Sequence, residues 1–317
     1  MDIDFLLVLQ SFREGIGACL TEFLSKMTWF GEMNTCLILI GLIYWCVSKE
    51  IGNYLLMGWS ANRIVNGALK VTACVYRPWI RDARIAPDPK ALETATGYSF
   101  PSGHSMNAAS LFGGMAIRRD MKGKMRALMW TILLLVAFSR NFLGVHTPQD
   151  VIVGAGAGVL MMYLTGRLLL WLESHQDKDL LVAVTGIAVA LLTALYAVTK
   201  SYPADYVNGE LLVDGLKMAN DTLKAVGWMI AYMLGWLLER RYVNFTTEVS
   251  MQERLFRLTS GLLGYYLVTL VVNPLIKAAL AGFAGTVITC FMQMFYIVFL
   301  FPLLITKLEG QGKAKTN

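Results

Sequence analysis

Apolar residues along this chain come in long blocks, with neither the alternation of a surface strand nor the stripe of a half-buried helix. Blocks fall at about residues 33–48, 52–76, 104–118, 126–145, 150–172, 180–199, 224–239, 256–275 and 284–306. A helix crosses a bilayer with about 20 apolar residues. The pattern therefore predicts about nine membrane-spanning helices. Residues 5–25 are apolar but carry Arg13, Glu14 and Glu22, which suits a helix lying in the interface. The second span carries Asn62, Arg63, Asn66 and Lys70. The third is short and rich in Gly and Ala, which suits close helix packing. Asn273-Pro274 interrupts or ends the eighth, with Lys277 close behind. That pair reads either as a helix end with a snorkelling lysine or as a broken helix lining a path for substrate.

Composition points the same way. The chain is 56% hydrophobic and 16% charged, with mean hydropathy +0.52. Soluble domains carry about 25% charged residues, so a soluble globular enzyme is excluded. Disorder is excluded as well, since it needs low hydrophobicity. The net charge is +6 over 317 residues. The positive residues sit in short loops between spans, which argues against a nucleic-acid partner and makes them topology signals. Arg118, Arg119, Lys122, Lys124 and Arg126 follow the third span; Arg240, Arg241, Arg254 and Arg257 follow the seventh; Lys307, Lys313 and Lys315 close the chain. Alternation across nine spans puts all three groups, with the C-terminus, on the cytoplasmic side. Segments 77–103, 140–149 and 200–223 then face the extracytoplasmic side. Arg77, Arg81 and Arg84 break the charge rule there, and an anionic ligand would account for them. The five cysteines form no C-x-x-C pair and read as inert buried thiols. The start Met1-Asp2-Ile3-Asp4 does not resemble a cleavable signal peptide.

Three polar clusters fall on that face. Lys70 and Arg77 lie seven residues apart, which on one helix is a single stripe with a separation of about 10 Å. Pro78 would end that helix. Taken alone, the pair also fits two cations snorkelling to the interface. Pro101-Ser102-Gly103-His104 opens the third span. Ser102 is a good N-cap, Gly103 permits close approach to the backbone, and His104 titrates near neutral pH. An ordinary capped helix with an interfacial histidine fits equally well. In the third cluster, Ser139-Arg140 precedes His146-Thr147-Pro148-Gln149-Asp150. Thr147 reads as an N-cap, Pro148 as the first helical residue and Asp150 as the third. Asp150 would suit a helix start, and would also orient His146 and leave its other nitrogen as a nucleophile. Arg140 offers a fork matched to phosphate oxygens. The third histidine, His175, sits in a polar loop and reads as solvated. Metal binding is not expected, because Asp82, Asp88 and Glu93 add no ligand spacing to the two histidines.

Together, Lys70-x6-Arg77-Pro78, Pro101-Ser102-Gly103-His104 and Ser139-Arg140-x5-His146-x3-Asp150 resemble the three-part signature of the type 2 phosphatidic acid phosphatase superfamily. The resemblance covers residues 1–173, and 174–317 carry no part of it. It implies an all-α polytopic membrane protein with a catalytic helical core at 1–173 and additional transmembrane helices at 174–317. It implies hydrolysis of a lipid phosphate monoester or diphosphate from the bilayer through a phosphohistidine, with no metal or other cofactor. His146 would be the nucleophile, Asp150 its orienting carboxylate, and His104 the leaving-group acid. Lys70, Arg77, Ser102, Gly103 and Arg140 would hold the phosphate. A glucose-6-phosphatase-like enzyme for a soluble sugar phosphate stays open, as does a lipid transporter with a vestigial phosphatase site.

Overall fold

The helices follow from the apolar blocks, and their ends from capping and turn residues. The computed structural model describes residues 2–207 and 209–315. Met1, Asn208, Thr316 and Asn317 lie outside it, as do the side chains of Gln176 and residues 311–315. Lys313 and Lys315 of the basic tail are therefore outside the described side chains. The first helices are α1 (Asp2–Ile16), α2 (Ala18–Met27), α3 (Met33–Leu42, prolonged by a π turn to Val47) and α4 (Lys49–Ala73). Short α5 (Pro78–Arg81) and α6 (Pro89–Leu92) lead to α7 (Gly103–Ala108), which a π turn joins to α8 (Gly114–Ile117). Next come α9 (Gly123–Phe142), α10 (Pro148–Glu173) and α11 (Asp179–Thr199). A two-residue antiparallel pairing of Tyr206–Val207 with Glu210–Leu211 is the only sheet among the described residues. The chain ends with α12 (Gly215–Leu238), α13 (Met251–Leu267), α14 (Asn273–Ala279), α15 (Gly282–Phe295) and α16 (Phe301–Lys315).

Among the described residues, five helical stretches are long and apolar enough to cross a bilayer: Gly123–Phe142, Pro148–Glu173, Asp179–Thr199, Met251–Ala279 and Gly282–Gly310. A sixth arises if Ala18–Gly31 and Met33–Val47, bent by 60°, count as one. On α11, Leu192 and Leu195 are 66% and 61% exposed among other exposed aliphatics. A helix that keeps such residues outward needs an apolar solvent, so the protein is an integral membrane protein.

Four readings of the sequence change. The N-terminal stretch 5–25 is not one helix: Gly17, at φ 85, separates α1 from α2. The second span ends at Ala73, because Cys74 adopts φ 47 and turns the chain. Arg77 is therefore not on the Lys70 stripe but caps α5, and Pro78 starts a helix where it was expected to stop one. The eighth span is neither ended nor broken at Asn273-Pro274. A π turn over Val268–Val272 precedes the proline, and the helix runs on to Ala279. Such turns reset the hydrogen-bond ladder, which lets a proline that lacks an N–H enter. Among the thiols, Cys19 is exposed and Cys74 half-buried, so the buried reading holds only for Cys36, Cys46 and Cys290.

The chain divides into two compact units. One comprises Met1–Cys36, Ala61–Thr165 and Ala197–Ala219; the other comprises Leu37–Ser60, Gly166–Tyr196 and Asn220–Asn317. In the second, Arg257 is buried and forms a bidentate pair with Glu309 at 2.7 and 2.8 Å. It also donates to the carbonyls of Trp45 and Thr246. Every polar cluster singled out above lies in the first unit, and His175 lies in the second.

Candidate active site

Helix α10 is set by its own first turn. Asp150 Oδ2 accepts from the Thr147 amide at 2.8 Å, and the Asp150 amide donates back to Thr147 Oγ1 at 3.4 Å. Pro148 at the first position needs no hydrogen-bond partner there. This reciprocal cap fixes Asp150 four residues from His146, and His146 Nδ1 lies 3.3 Å from Asp150 Oδ2. The preceding turn is held from outside. Leu143 O accepts from the Asp88 amide at 3.0 Å, and Arg13 of α1 donates to Phe142 O at 3.0 Å and to Ala86 O. Arg13 was read only as an interruption of an apolar stretch; it braces the approach to His146.

The other imidazole nitrogen is not free, as the sequence reading had it. Nε2 of His146 lies 2.9 Å from Arg77 Nη1. A guanidinium only donates, so Nε2 must present its lone pair. The proton then sits on Nδ1, facing Asp150. Burial, and then the Arg77 charge, hold His146 well below the ordinary imidazole pKa, against the pull of Asp150. The ring is therefore neutral at physiological pH. Arg77 is buried, and burial brings its pKa down to about 10, so it keeps its charge. It also donates to Gly97 O, Thr96 O and Val145 O. Arg77 thus ties the 96–99 loop to the His146 turn.

Ser99 was missed in the sequence. Its hydroxyl donates to Asp150 Oδ2 at 2.6 Å and lies 3.3 Å from His146 Nδ1. No local pattern marks it, because its amide is placed by Val75 O across the Cys74 turn. The neighbouring Tyr98 carbonyl accepts from Lys70 Nζ at 2.8 Å. Its amide donates to Met218 Sδ at 3.4 Å, so the first turn of α12 also supports this loop.

Ser102 caps α7 as expected, its Oγ accepting from the Ser105 amide and hydroxyl. Its amide donates to Asp150 O at 2.9 Å, which joins the start of α7 to the start of α10. A Cβ on Gly154 would stand 2.7 Å from Ser102 O, so that contact requires glycine. A Cβ on Gly103 would meet the side chains of Asn66 and Arg63 on α4 at ordinary contact distance. His104 is half-buried, and its Nε2 is buried with no hydrogen-bond partner. Arg140, Arg77, His146 and Arg63 all act on it electrostatically. Arg140 is fully buried, and all three guanidinium nitrogens lack a partner. Arg77 and the Glu32 carboxylate both act on it electrostatically. Buried donors are normally satisfied, so a forked cation left bare beside Arg77 suits an anion. Among the described residues, no group of three or more His, Cys, Asp or Glu side chains is placed to hold a metal ion.

The structure thus puts Arg77, His146 and Asp150 in direct contact and joins Ser102 to them through the backbone. It sets His104 and Arg140 within electrostatic reach, and ties Lys70 to the loop that carries Ser99. Comparison with known proteins adds three findings. The PAP2 superfamily profile matches residues 52–174, and a second profile, the transmembrane extension of PAP2 superfamily phosphatases, matches residues 223–313. The chain is 30% identical over 158 residues to phosphatidylglycerophosphatase B of Bacillus subtilis (strain 168), covering 46% of this chain and 73% of that protein. No solved structure matches.

Proposed function

The chain belongs to the PAP2 phosphatase superfamily, and on that premise we propose that it hydrolyses a lipid phosphate monoester or diphosphate through a phosphohistidine, without a metal. One observation carries the reading. A neutral histidine aims its lone pair at an arginine fork, beside a second buried arginine whose donors are all unused. Phosphoryl transfer is catalysed mostly by positioning and by neutralising charge on the equatorial oxygens. Arg77 and Arg140, with Lys70, Ser102 and Gly103, supply that here. The lipid assignment is supported by the membrane setting and by a relative whose name specifies a lipid phosphate.

In this mechanism the phosphate displaces the Arg77–His146 hydrogen bond and takes up the fork. The Nε2 lone pair of His146 forms a bond to phosphorus as the ester P–O bond breaks. His104 gives its proton to the leaving oxygen. Asp150, held by Ser99 and the Thr147 amide, stabilises the charge left on the imidazole. In the second step His104 takes a proton from water, water oxygen bonds to phosphorus, and the N–P bond returns its electrons to Nε2. We place the reaction on the extracytoplasmic face and the C-terminus in the cytoplasm. We assign about nine spans, with α1 as the N-terminal interfacial helix, residues 1–173 as the catalytic core and 174–317 as additional helices.

The test is phosphate release by the purified full chain from a panel of phosphatidic acid, lysophosphatidic acid, phosphatidylglycerol phosphate, a prenyl diphosphate and glucose 6-phosphate. Activity on the lipid members, intact in EDTA and inhibited by vanadate, is expected. Activity on glucose 6-phosphate alone overturns the lipid reading. Loss in EDTA restored by a divalent metal overturns the mechanism.

A further inference from the structure

Helix α4 carries more polar side chains than the phosphatase chemistry uses. Asn62 is accounted for as a brace, donating to Ser110 Oγ at 2.6 Å and to Gly158 O at 3.2 Å. Lys70 is bound at the Tyr98 carbonyl. Asn66 is buried, donates to Pro101 O at 3.5 Å, and turns its Oδ1 toward Arg63, whose Nη1 donates to it at 3.4 Å. Arg63 is thereby steered to the start of α7. Its Nη1 stands 3.7 Å from where a Cβ on Gly103 would be, one residue from His104. Asn66 helps to hold this direction.

The cations around the site divide by what they act on. His146 responds chiefly to Arg77, Asp150 and Arg140. His104 responds to Arg140, His146 and Arg77, and also to Arg63. By position Arg63 belongs with His104, since its Nη1 stands at Gly103, the residue next to that histidine. In an in-line displacement the nucleophile and the leaving oxygen stand on opposite sides of phosphorus. With His146 as nucleophile and His104 as acid, the side facing Arg63 is the leaving-group side. A diacylglycerol leaving group is neutral and has no use for a cation there. Partial burial of the Arg63 guanidinium costs desolvation, which an anionic ligand would offset.

We propose that Arg63 forms a second anion subsite that selects phosphoesters whose leaving group carries its own negative charge. This rests on the phosphatase reading above and narrows its substrate class. Two chemistries fit: a lipid diphosphate, whose leaving group is a lipid monophosphate, and a phosphomonoester on an alcohol that also bears a phosphodiester. With the diphosphate, Nε2 of His146 bonds to the terminal phosphorus and the bond from that phosphorus to the bridging oxygen breaks. The electron pair stays on the departing lipid monophosphate, whose charge Arg63 meets. With the second class, Arg63 holds the phosphodiester, and His104 protonates the leaving alkoxide as before.

The experiment compares kcat/KM for phosphatidic acid, phosphatidylglycerol phosphate and farnesyl diphosphate in detergent micelles, using the full chain and its R63Q and R63K forms. In R63Q the ratio of either anionic-leaving-group substrate to phosphatidic acid should fall by roughly tenfold or more, the worth of one charge-assisted hydrogen bond. R63K keeps the charge and should hold the ratio within about threefold of the unmodified protein, since a point charge replaces the fork. An unchanged ratio in R63Q overturns the subsite. A third measurement needs no variant: phosphatidylglycerol, the anionic product, should inhibit phosphatidic acid hydrolysis at a Ki roughly tenfold below that of diacylglycerol. Equal inhibition also overturns the subsite. Failure of the unmodified protein to release phosphate from any of the three substrates would instead sink the phosphatase reading.

Discussion

At the residue scale, His146 and His104 look alike in sequence and differ in surroundings. His146 has partners on both nitrogens, Asp150 on one and Arg77 on the other, whereas His104 Nε2 has none. Their variants should therefore fail differently. His146→Ala should abolish the phosphoenzyme and turnover together, because no other group replaces the nucleophile. His104→Ala should lose lipid phosphate hydrolysis by about 10²–10⁴-fold, the range for general acid catalysis. It should lose far less in the phosphorylation step with p-nitrophenyl phosphate, whose leaving group needs no proton. Rapid-quench measurement of that step decides it; an equal loss with both substrates refutes the assignment. A second expectation concerns pH. The reactive form of His146 is neutral, and its pKa is lowered by burial and Arg77. Phosphoenzyme formation should stay level as pH falls through the ordinary imidazole range and decline only below it. Asp150→Asn removes the one charge that pulls the pKa up. The acid limb should then move to still lower pH while the plateau rate falls by up to about 10⁴-fold, as expected when the tautomer is lost. A limb that moves upward would contradict the roles given to both residues.

The site is held at the scale of elements by the meeting of α7 and α10. The Ser102 amide bonds to Asp150 O, and Gly154 on the next turn of α10 lies against the Ser102 backbone. Backbone cannot retreat as a flexible side chain can. Gly154→Ala should therefore cost about 1–3 kcal/mol, the range for overpacking, and shift the start of α7. Gly156, two residues on, has open space where its Cβ would be. Gly156→Ala should leave stability unchanged or slightly raised, since alanine is the better helix former. Thermal unfolding in detergent, with phosphate release as a parallel readout, separates the two. Equal behaviour of the two variants would mean that this helix contact does not position the site.

For the whole molecule, the open quantity is orientation. From the Lys and Arg bias, residues 118–126 are expected inside and 200–223 outside. Glu210 and Lys122 are both exposed and serve as reporters. In a background with the exposed Cys19 replaced by serine, a cysteine at Glu210 should react with an impermeant maleimide on intact cells, and one at Lys122 only after permeabilisation. The reverse pattern would put the site on the cytoplasmic face.

What could be read in the sequence was local or additive. Helix spans follow from apolar length. The caps at Ser102 and Thr147 depend on residues within three positions of one another, and i,i+4 spacing suffices to put His146 beside Asp150. What depended on distant residues was hidden. Cys74 turns the chain and takes Arg77 off its expected helix, because a left-handed residue other than glycine has no reliable local signal. Ser99 reaches Asp150 only because Val75 and Arg77 hold its loop. The capping of His146 Nε2 by Arg77, and the bare guanidinium of Arg140, exist only once separate helices converge. Spacing can bring two groups to one face of one helix, but which of them ends with a partner depends on everything packed around it.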